Sequence, residues 1–282
     1  MEKLMQRITE LGLESYYERT KHYLRNAIHM EYTVIPEREI PVGASKLGGH
    51  PDLPAEFEWP RQEEGECLLF LLQLNLAELA PYDLDGMLPR EGMLYFFYDV
   101  GPMPGVPYGD PDGWAVRYYP GSDVTRQCGP EDVKGYFASA RPEFATRPEI
   151  PFRESDLVPR TALEEGEYWK LGVFRDNYAS KNGQESDICH KLLGHARSVQ
   201  TYGMESICEE YYRKHYEPDG YSHEEPSYPH SAERWVNLLQ LDSCSELYWV
   251  WDEGYGRVYF WIEAEDLKNR RFDRVLAVSQ TS

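Results

Sequence analysis

The words KLGGH (Lys46–His50), LLQLN (Leu71–Asn75) and GMLYFF (Gly92–Phe97) recur in the same order as KLLGH (Lys191–His195), LLQLD (Leu238–Asp242) and GRVYFW (Gly256–Trp261). Repetition of several short words in one order is the mark of a copied structural unit. The spacing from Gln73 to Gly92 is 19 positions and that from Gln240 to Gly256 is 16. The gap before them grows from 24 (Gly49 to Gln73) to 46 (Gly194 to Gln240), and the excess falls on a polar, proline-containing stretch near 217–231. Extra loop length there costs little closure entropy. The pattern predicts an α+β fold of two similar β-rich halves related by pseudo-twofold duplication, preceded by N-terminal helices. The expected divisions are a helical segment over 1–40, a first half over 41–150 and a second over 151–282, all within one compact unit.

Working outward, Leu4, Ile8 and Leu11 recur at helical spacing, and a weaker stripe carries on to Ile28. Residues 2 to about 30 therefore read as helix, with Gly12 as a break. Glu31–Ile35 reads as extended, and residues 43–61 as a loop shaped by proline and glycine. Strands are predicted at Leu68–Leu76, Gly92–Asp99, Trp114–Tyr119, Trp235–Asp242 and Gly256–Glu263, and a helix at Glu205–His215. Glu164–Val173 reads equally as strand or helix. Pro142, Pro148, Pro151 and Pro159 mark 142–159 as a connection between the halves. Residues 264–275 read as a short helix or turn.

The chain has 282 residues and a net charge of −20, from 29 Lys+Arg against 49 Asp+Glu. The acidity is even, −11 up to residue 150 and −9 after it. Binding nucleic acid through its phosphates needs clustered cations, so that class is excluded. The longest apolar run, Cys67–Leu72, is far too short to span a bilayer, so no membrane partner is expected. The five cysteines include no C-x-x-C pair, which argues against a disulfide framework or a structural zinc. The N-terminal stretch lacks the apolar core of a secretory signal, and a cytoplasmic location is the expectation.

On alternating strands Gln73 and Asn75 share a face with Leu71, as Gln240 and Asp242 do with Leu238. These polar pairs, with His50 and His195 at matching places, converge if the halves face each other. The candidate ligand-binding residues are accordingly His50, Asp52, Trp59, Gln73, Asn75, His195, Gln240 and Asp242. Each has a plainer reading as loop structure or packing: Gly48–Gly49 for backbone angles, Trp59 as a plug, the histidines in solvent. Tyr95, Phe97, Tyr259 and Trp261 lack basic neighbours and read as core rather than as a base-stacking face. His215, His223 and His230 flank several acids, but their spacing fits no metal-ligand set. G-x-S-x-G, H-E-x-x-H and phosphate-loop motifs are absent, so no catalytic residue, metal or cofactor is assigned.

SKLGGHPDLP (Ser45–Pro54), LFLLQLNLAEL (Leu69–Leu79), LPREGMLYFFYD (Leu88–Asp99), HKLLGHARSVQ (His190–Gln200) and WDEGYGRVYFWIEAEDL (Trp251–Leu267) together resemble the YwqG-like family of bacterial proteins, over residues 45 to about 280. The resemblance implies an α+β fold and a soluble protein, and carries over no catalytic residue. The function expected is non-enzymatic protein interaction, of antitoxin, immunity or regulatory type, with a basic protein partner favoured by the acidity and the 22 tyrosines. The alternatives are a small-molecule or peptide binder with its cleft between the halves, and a hydrolase using a His/Asp pair there.

Overall fold

The computed structural model describes residues 1–101, 103–106, 111–158, 160–179, 188–200, 203–217, 230–251 and 256–281. Helix α1 (Glu2–Leu11) buries Leu4 and Ile8 on one face. It ends at Gly12, whose φ of 61° lets its N–H bond the carbonyls of Ile8 and Thr9. Helix α2 (Glu14–Thr20) and a single 3₁₀ turn follow. The helix does not reach residue 30. Strand β1 (Arg25–Val34) begins instead, because Ile28, Met30 and Tyr32 also obey a period of two, and the sheet rather than a helix face supplies their partners.

The other strands are β2 (Lys46–Leu47), β3 (Asp52–Leu53), β4 (Leu69–Asn75), β5 (Met93–Tyr98), β6 (Trp114–Tyr119), β7 (Thr125–Arg126), β8 (Ala140–Glu149), β9 (His190–Leu192), β10 (Trp235–Asp242), β11 (Arg257–Glu263) and β12 (Leu276–Gln280). All but β3 and β7, which pair together, join one ten-stranded antiparallel sheet. Its order is β12-β11-β10-β9-β1-β8-β2-β4-β5-β6. The remaining helices are α3 (Leu76–Leu79), α4 (Glu167–Ala179), α5 (Glu205–Tyr216), α6 (His230–Glu233) and α7 (Ala264–Lys268). The undecided stretch near 164–173 thus enters a helix.

The segment expected to connect the halves is a central strand. β8 pairs with β1 along its whole length, from Arg25↔Glu149 to Val34↔Ala140. On its other side β2 reaches only Ala140. The remainder of that edge is open, and proline, which donates no ladder bond, is tolerated at such an edge.

The sheet curls until its ends nearly meet. The Trp114 indole in β6 donates to the Val275 carbonyl beside β12 at 2.8 Å. Val106 N–H donates to Ala277 at 2.8 Å, so the segment before β6 also bonds the far edge. Inside this near-barrel Phe96 and Phe260 meet edge to face at 5.1 Å, within a core drawn from both ends of the sheet. Outside it, Leu53, Trp59, Phe70, Tyr95 and Phe97 cover one area, and α1, α4 and the 150–158 segment cover another.

Both glutamine strands carry an irregularity. The β4–β5 register shifts between Phe70 and Leu72, and the β10–β11 register between Asn237 and Leu239. Alternation is broken there, so Leu71 and Leu238 join the inner core with Leu72 and Leu239 instead of sharing a face with Gln73 and Gln240.

Candidate functional site

Two buried polar networks are built around β2 and β9. In the first, Lys46 is wholly buried and pairs across the sheet with Gln73. Its ammonium lies 3.1 Å from Glu37 Oε1 and 3.6 Å from Asp52 Oδ1, and it donates to the His50 carbonyl. The chain returns to that ammonium through Gly48 and Gly49 at φ of 60° and 65°. A Cβ on Gly48 would sit 2.1 Å from the Ala138 carbonyl oxygen, so only glycine fits. Gln73 accepts from Asp52 N–H at 2.7 Å and donates to Ala44 O and Asp52 Oδ2, both at 2.8 Å. Tyr95 donates to Asp52 O at 2.7 Å, and Arg126 Nε to Asp52 Oδ1 at 2.8 Å. Burial would raise the Asp52 carboxyl, but the Arg126 bond and the Lys46 charge hold it below its ordinary range.

In the second network Lys191, also wholly buried, pairs with Gln240. Its ammonium bonds both oxygens of Glu149 at 2.9 and 2.7 Å and donates to the His195 carbonyl. Gln240 accepts from Arg197 N–H at 2.9 Å and donates to Cys189 O and Asp242 Oδ1, both at 3.0 Å. Tyr259 donates to Arg197 O at 2.8 Å, and Arg257 Nε lies 2.9 Å from Asp242 Oδ1. Burial opposes the Glu149 charge, yet Lys191 and His29 bring its carboxyl down to about 2. His195 shifts the other way. Burial, helped by Arg25, lowers its imidazole to about 3, so it is neutral and its Nε2 donates to Tyr23 O at 2.8 Å.

The structure gathers the candidate residues in two places, not one. β2 and β9 are separated by β8 and β1, three strand spacings or about 14 Å. His50, Asp52 and Gln73 belong to the first network, and His195, Gln240 and Asp242 to the second. The imidazoles do not converge and neither pairs with an aspartate, so the His/Asp base expected for a hydrolase is not formed. His50 is partly exposed, with Nδ1 2.8 Å from Glu37 Oε2 and its ring tilted against Tyr136, centroids 4.2 Å apart. Asn75 caps α3 by accepting from Ala77 N–H, and donates to Gly43 O. Trp59 donates to Leu68 O and packs edge-on against Phe97 at 5.2 Å. Tyr95, Phe97, Tyr259 and Trp261 are buried, as expected of core.

Sequence reasoning missed Glu37, Glu149, Arg126, His29 and Cys189. Glu37 stands nine residues before its lysine and Glu149 forty-two before its own, so no shared spacing marks them. Lys46 and Lys191 were signalled, since each opens a repeated word.

Among the described residues no group of three or more His, Cys, Asp or Glu side chains could hold a metal ion. His223 lies outside the described residues, while His215 Nδ1 donates to its own helix at Tyr211 O. Among the described residues no helix is long and apolar enough to cross a membrane. The described cysteines are all free.

Fold and site together define an α+β protein whose curled antiparallel sheet holds two loops by buried lysine clasps. The chain belongs to the family described as a domain of unknown function, DUF1963, whose model matches residues 45–280. A search of curated proteins finds no significant match.

Proposed function

We propose that the protein acts by binding a basic protein partner, without catalysis, through the surface where the His50 loop meets residues 136–138 and 245–251. The observation that carries this is Tyr248. It is 72 % exposed, yet held at φ 61°, a left-handed conformation that costs a non-glycine residue about 1–2 kcal/mol. Two backbone bonds between Cys244 and Trp249 pin the tight loop that presents it. Tyr248 ends the 3₁₀ turn over Ser245–Leu247 in this conformation, a position usually given to glycine, and strained residues of this kind cluster at binding sites. Val250, 53 % exposed, adds apolar area. The three segments are tied together: Gly49 N–H donates to Phe137 O at 3.0 Å, Ala138 N–H to Leu247 O at 3.3 Å, and the Tyr136 ring rests tilted against His50. Glu37, bonded to His50, and Glu246, in the Tyr248 loop itself, flank the patch, and the net charge of −20 favours a cationic partner. An antitoxin or immunity role against a basic toxin is the most concrete form of this proposal.

Of the eight candidate residues, His50 is the one a partner would touch. Asp52, Trp59, Gln73, Asn75, His195, Gln240 and Asp242 then serve as framework. We also infer that the two halves descend from one copied unit. Three features support this: strand order read inward from either edge, matching irregularities beside the glutamines, and Lys–Gln–Tyr clasps bonded alike. In that case β1 and β8 are exchanged between copies, since β1 lies beside β9 and β8 beside β2.

A second reading is a small-molecule binder. A cavity of about 310 Å³ lies where the sheet edges approach, lined by Trp114, Arg117, Tyr216 and Phe272 among others. It lies at a junction of the two ends of the sheet, where ligand sites are favoured.

The test is capture from host extract with wild type and Tyr248→Ser/Val250→Ser. A stoichiometric basic protein held by wild type, lost from the double variant and weakened by salt, is the expected result. Equal capture by both, or no stoichiometric partner at low and physiological salt, contradicts the proposal.

A further inference from the structure

The two clasps differ beside the glutamine and beside the lysine. In the first, Gln73 donates to the carbonyl of Ala44, and the β8 residue flanking Lys46 is Arg141, next to Ala140, which pairs with Leu47. In the second, Gln240 donates to the carbonyl of Cys189, and His29 is the β1 partner of Lys191. The first clasp has its own imidazole, His50, on Glu37, but it closes without a thiol, so holding the loop does not require Cys189.

Cys189 Sγ lies 3.9 Å from His29 Nδ1, and His29 Nε2 lies 3.2 Å from Glu149 Oε1. This is a nucleophile, a base and an orienting carboxylate in series. Glu149 is itself fixed by Lys191 and by the His195 N–H at 2.9 Å. The charged groups around the sulfur are His29 from β1, Glu149 from β8, Lys191 from β9, Asp242 from β10, Arg257 from β11 and Arg197 from the loop after β9. Four of these six are cationic or become so. We propose that Cys189 and His29 form a thiolate–imidazolium pair, and that Cys189 is a site of oxidation by small hydroperoxides.

Burial alone would raise the thiol, but the His29 bond and charge lower it. His29 is raised, with burial opposing and Cys189 and Glu149 favouring its charged form. The other described cysteines lack this setting. Cys208 is pushed well up by burial beside Glu205, and Cys67 is raised by burial and Asp132.

The step balances. The thiolate sulfur attacks one peroxide oxygen, the S–O bond forms and the O–O bond breaks. The sulfur loses two electrons to the peroxide, and the departing hydroxide, or alkoxide from an organic hydroperoxide, takes the His29 proton to leave water or an alcohol. The product is Cys189 sulfenic acid and neutral imidazole. Cys189 is 2 % exposed, so the oxidant must be small and uncharged, and a bulky alkylating agent would not reach it in the folded chain.

The experiment treats the folded protein with hydrogen peroxide from pH 6 to 8.5, then unfolds it in urea with dimedone and measures the label on each cysteine by peptide mass. The expected result is that Cys189 oxidises faster than exposed Cys128. Its rate should stay within about threefold over the pH range, while an ordinary thiol slows roughly tenfold per pH step below its pKa. His29→Asn should slow Cys189 at least tenfold and leave Cys128 unchanged. Cys189→Ala, which restores the residue of the first clasp, should fold and lose the fast label. Cys128 labelling as fast as Cys189 in wild type, or a Cys189 rate rising tenfold per pH step, overturns the proposal even if the His29 variant fails to fold.

Discussion

Replacing Lys191 by Met tests how far the second clasp carries the fold. Met matches the stem of lysine and removes the charge, so packing is nearly conserved. What remains is Glu149, wholly buried, with its carboxylate left to His29 Nε2 and the His195 N–H. The His195 carbonyl also loses its donor. Removing one partner of a buried ion pair costs about 3–5 kcal/mol, because the other charge is stranded. Lys46→Met is the internal comparison. Lys46 is equally buried, but Glu37 keeps 22 % of its side-chain surface in solvent and Asp52 keeps Arg126. Its loss should cost less, roughly 1–3 kcal/mol, the range for an unmade buried hydrogen bond. Urea unfolding followed by tryptophan fluorescence measures both, provided the slopes match wild type. A Lys191→Met variant within about 1 kcal/mol of wild type, or a Lys46→Met variant the worse of the two, would refute the reasoning.

The hydroxyls of Tyr95 and Tyr259 do corresponding work, so Tyr95→Phe and Tyr259→Phe should each cost about 1 kcal/mol in the same assay, and unequal costs would argue against equivalent clasps. Gly194→Ala places a Cβ 2.5 Å from both Ala27 Cβ and Glu149 Oε2 at a φ of 69°, and a loss above about 2 kcal/mol is expected by thermal melting. Acid should unfold the protein in two windows. Glu149 is depressed from 4.5 to about 2, so its contribution is full above 4.5 and lost as pH falls toward 2. His190 and His195, lowered by burial from 6.5 to about 4 and about 3, are stabilising when neutral, and that share declines as pH falls below 6.5. His29, raised above 6.5, acts oppositely and loses its share as pH rises through its folded value. Melting temperatures that are flat from pH 6.5 to 4 would contradict this. Tyr248→Gly relieves a left-handed residue, so stability should hold or rise by up to about 1 kcal/mol while partner capture falls.

What could be read in the sequence was what local chemistry dictates. The β4, β5, β6, β10 and β11 strands, the α5 helix and the buried aromatics follow from apolar runs between turn residues. β1 was hidden because Ile28 ends the helical stripe and also opens the alternation with Met30 and Tyr32, and only its partners β8 and β9 decide between them. β8 was hidden by its own prolines, which an open edge tolerates. Both clasps were half legible. The words beginning at Lys46 and Lys191 and the glutamine words mark the lysines and glutamines, whereas Glu37, Glu149, Cys189 and His29 arrive through long-range pairing that leaves no spacing signal. The one-residue irregularities at Leu71 and Leu238 also escape a strict alternation rule, and they turn the glutamines to the opposite side of the sheet from those leucines.

Amide hydrogen exchange of the protein, alone and with its captured basic partner, addresses the proposed binding surface most directly. Slowed exchange confined to residues 48–50, 136–138 and 245–251 is the outcome expected. Protection instead around Trp114, Tyr216 and Phe272, with the Tyr248 loop unchanged, would contradict it and place recognition at the junction of the sheet edges.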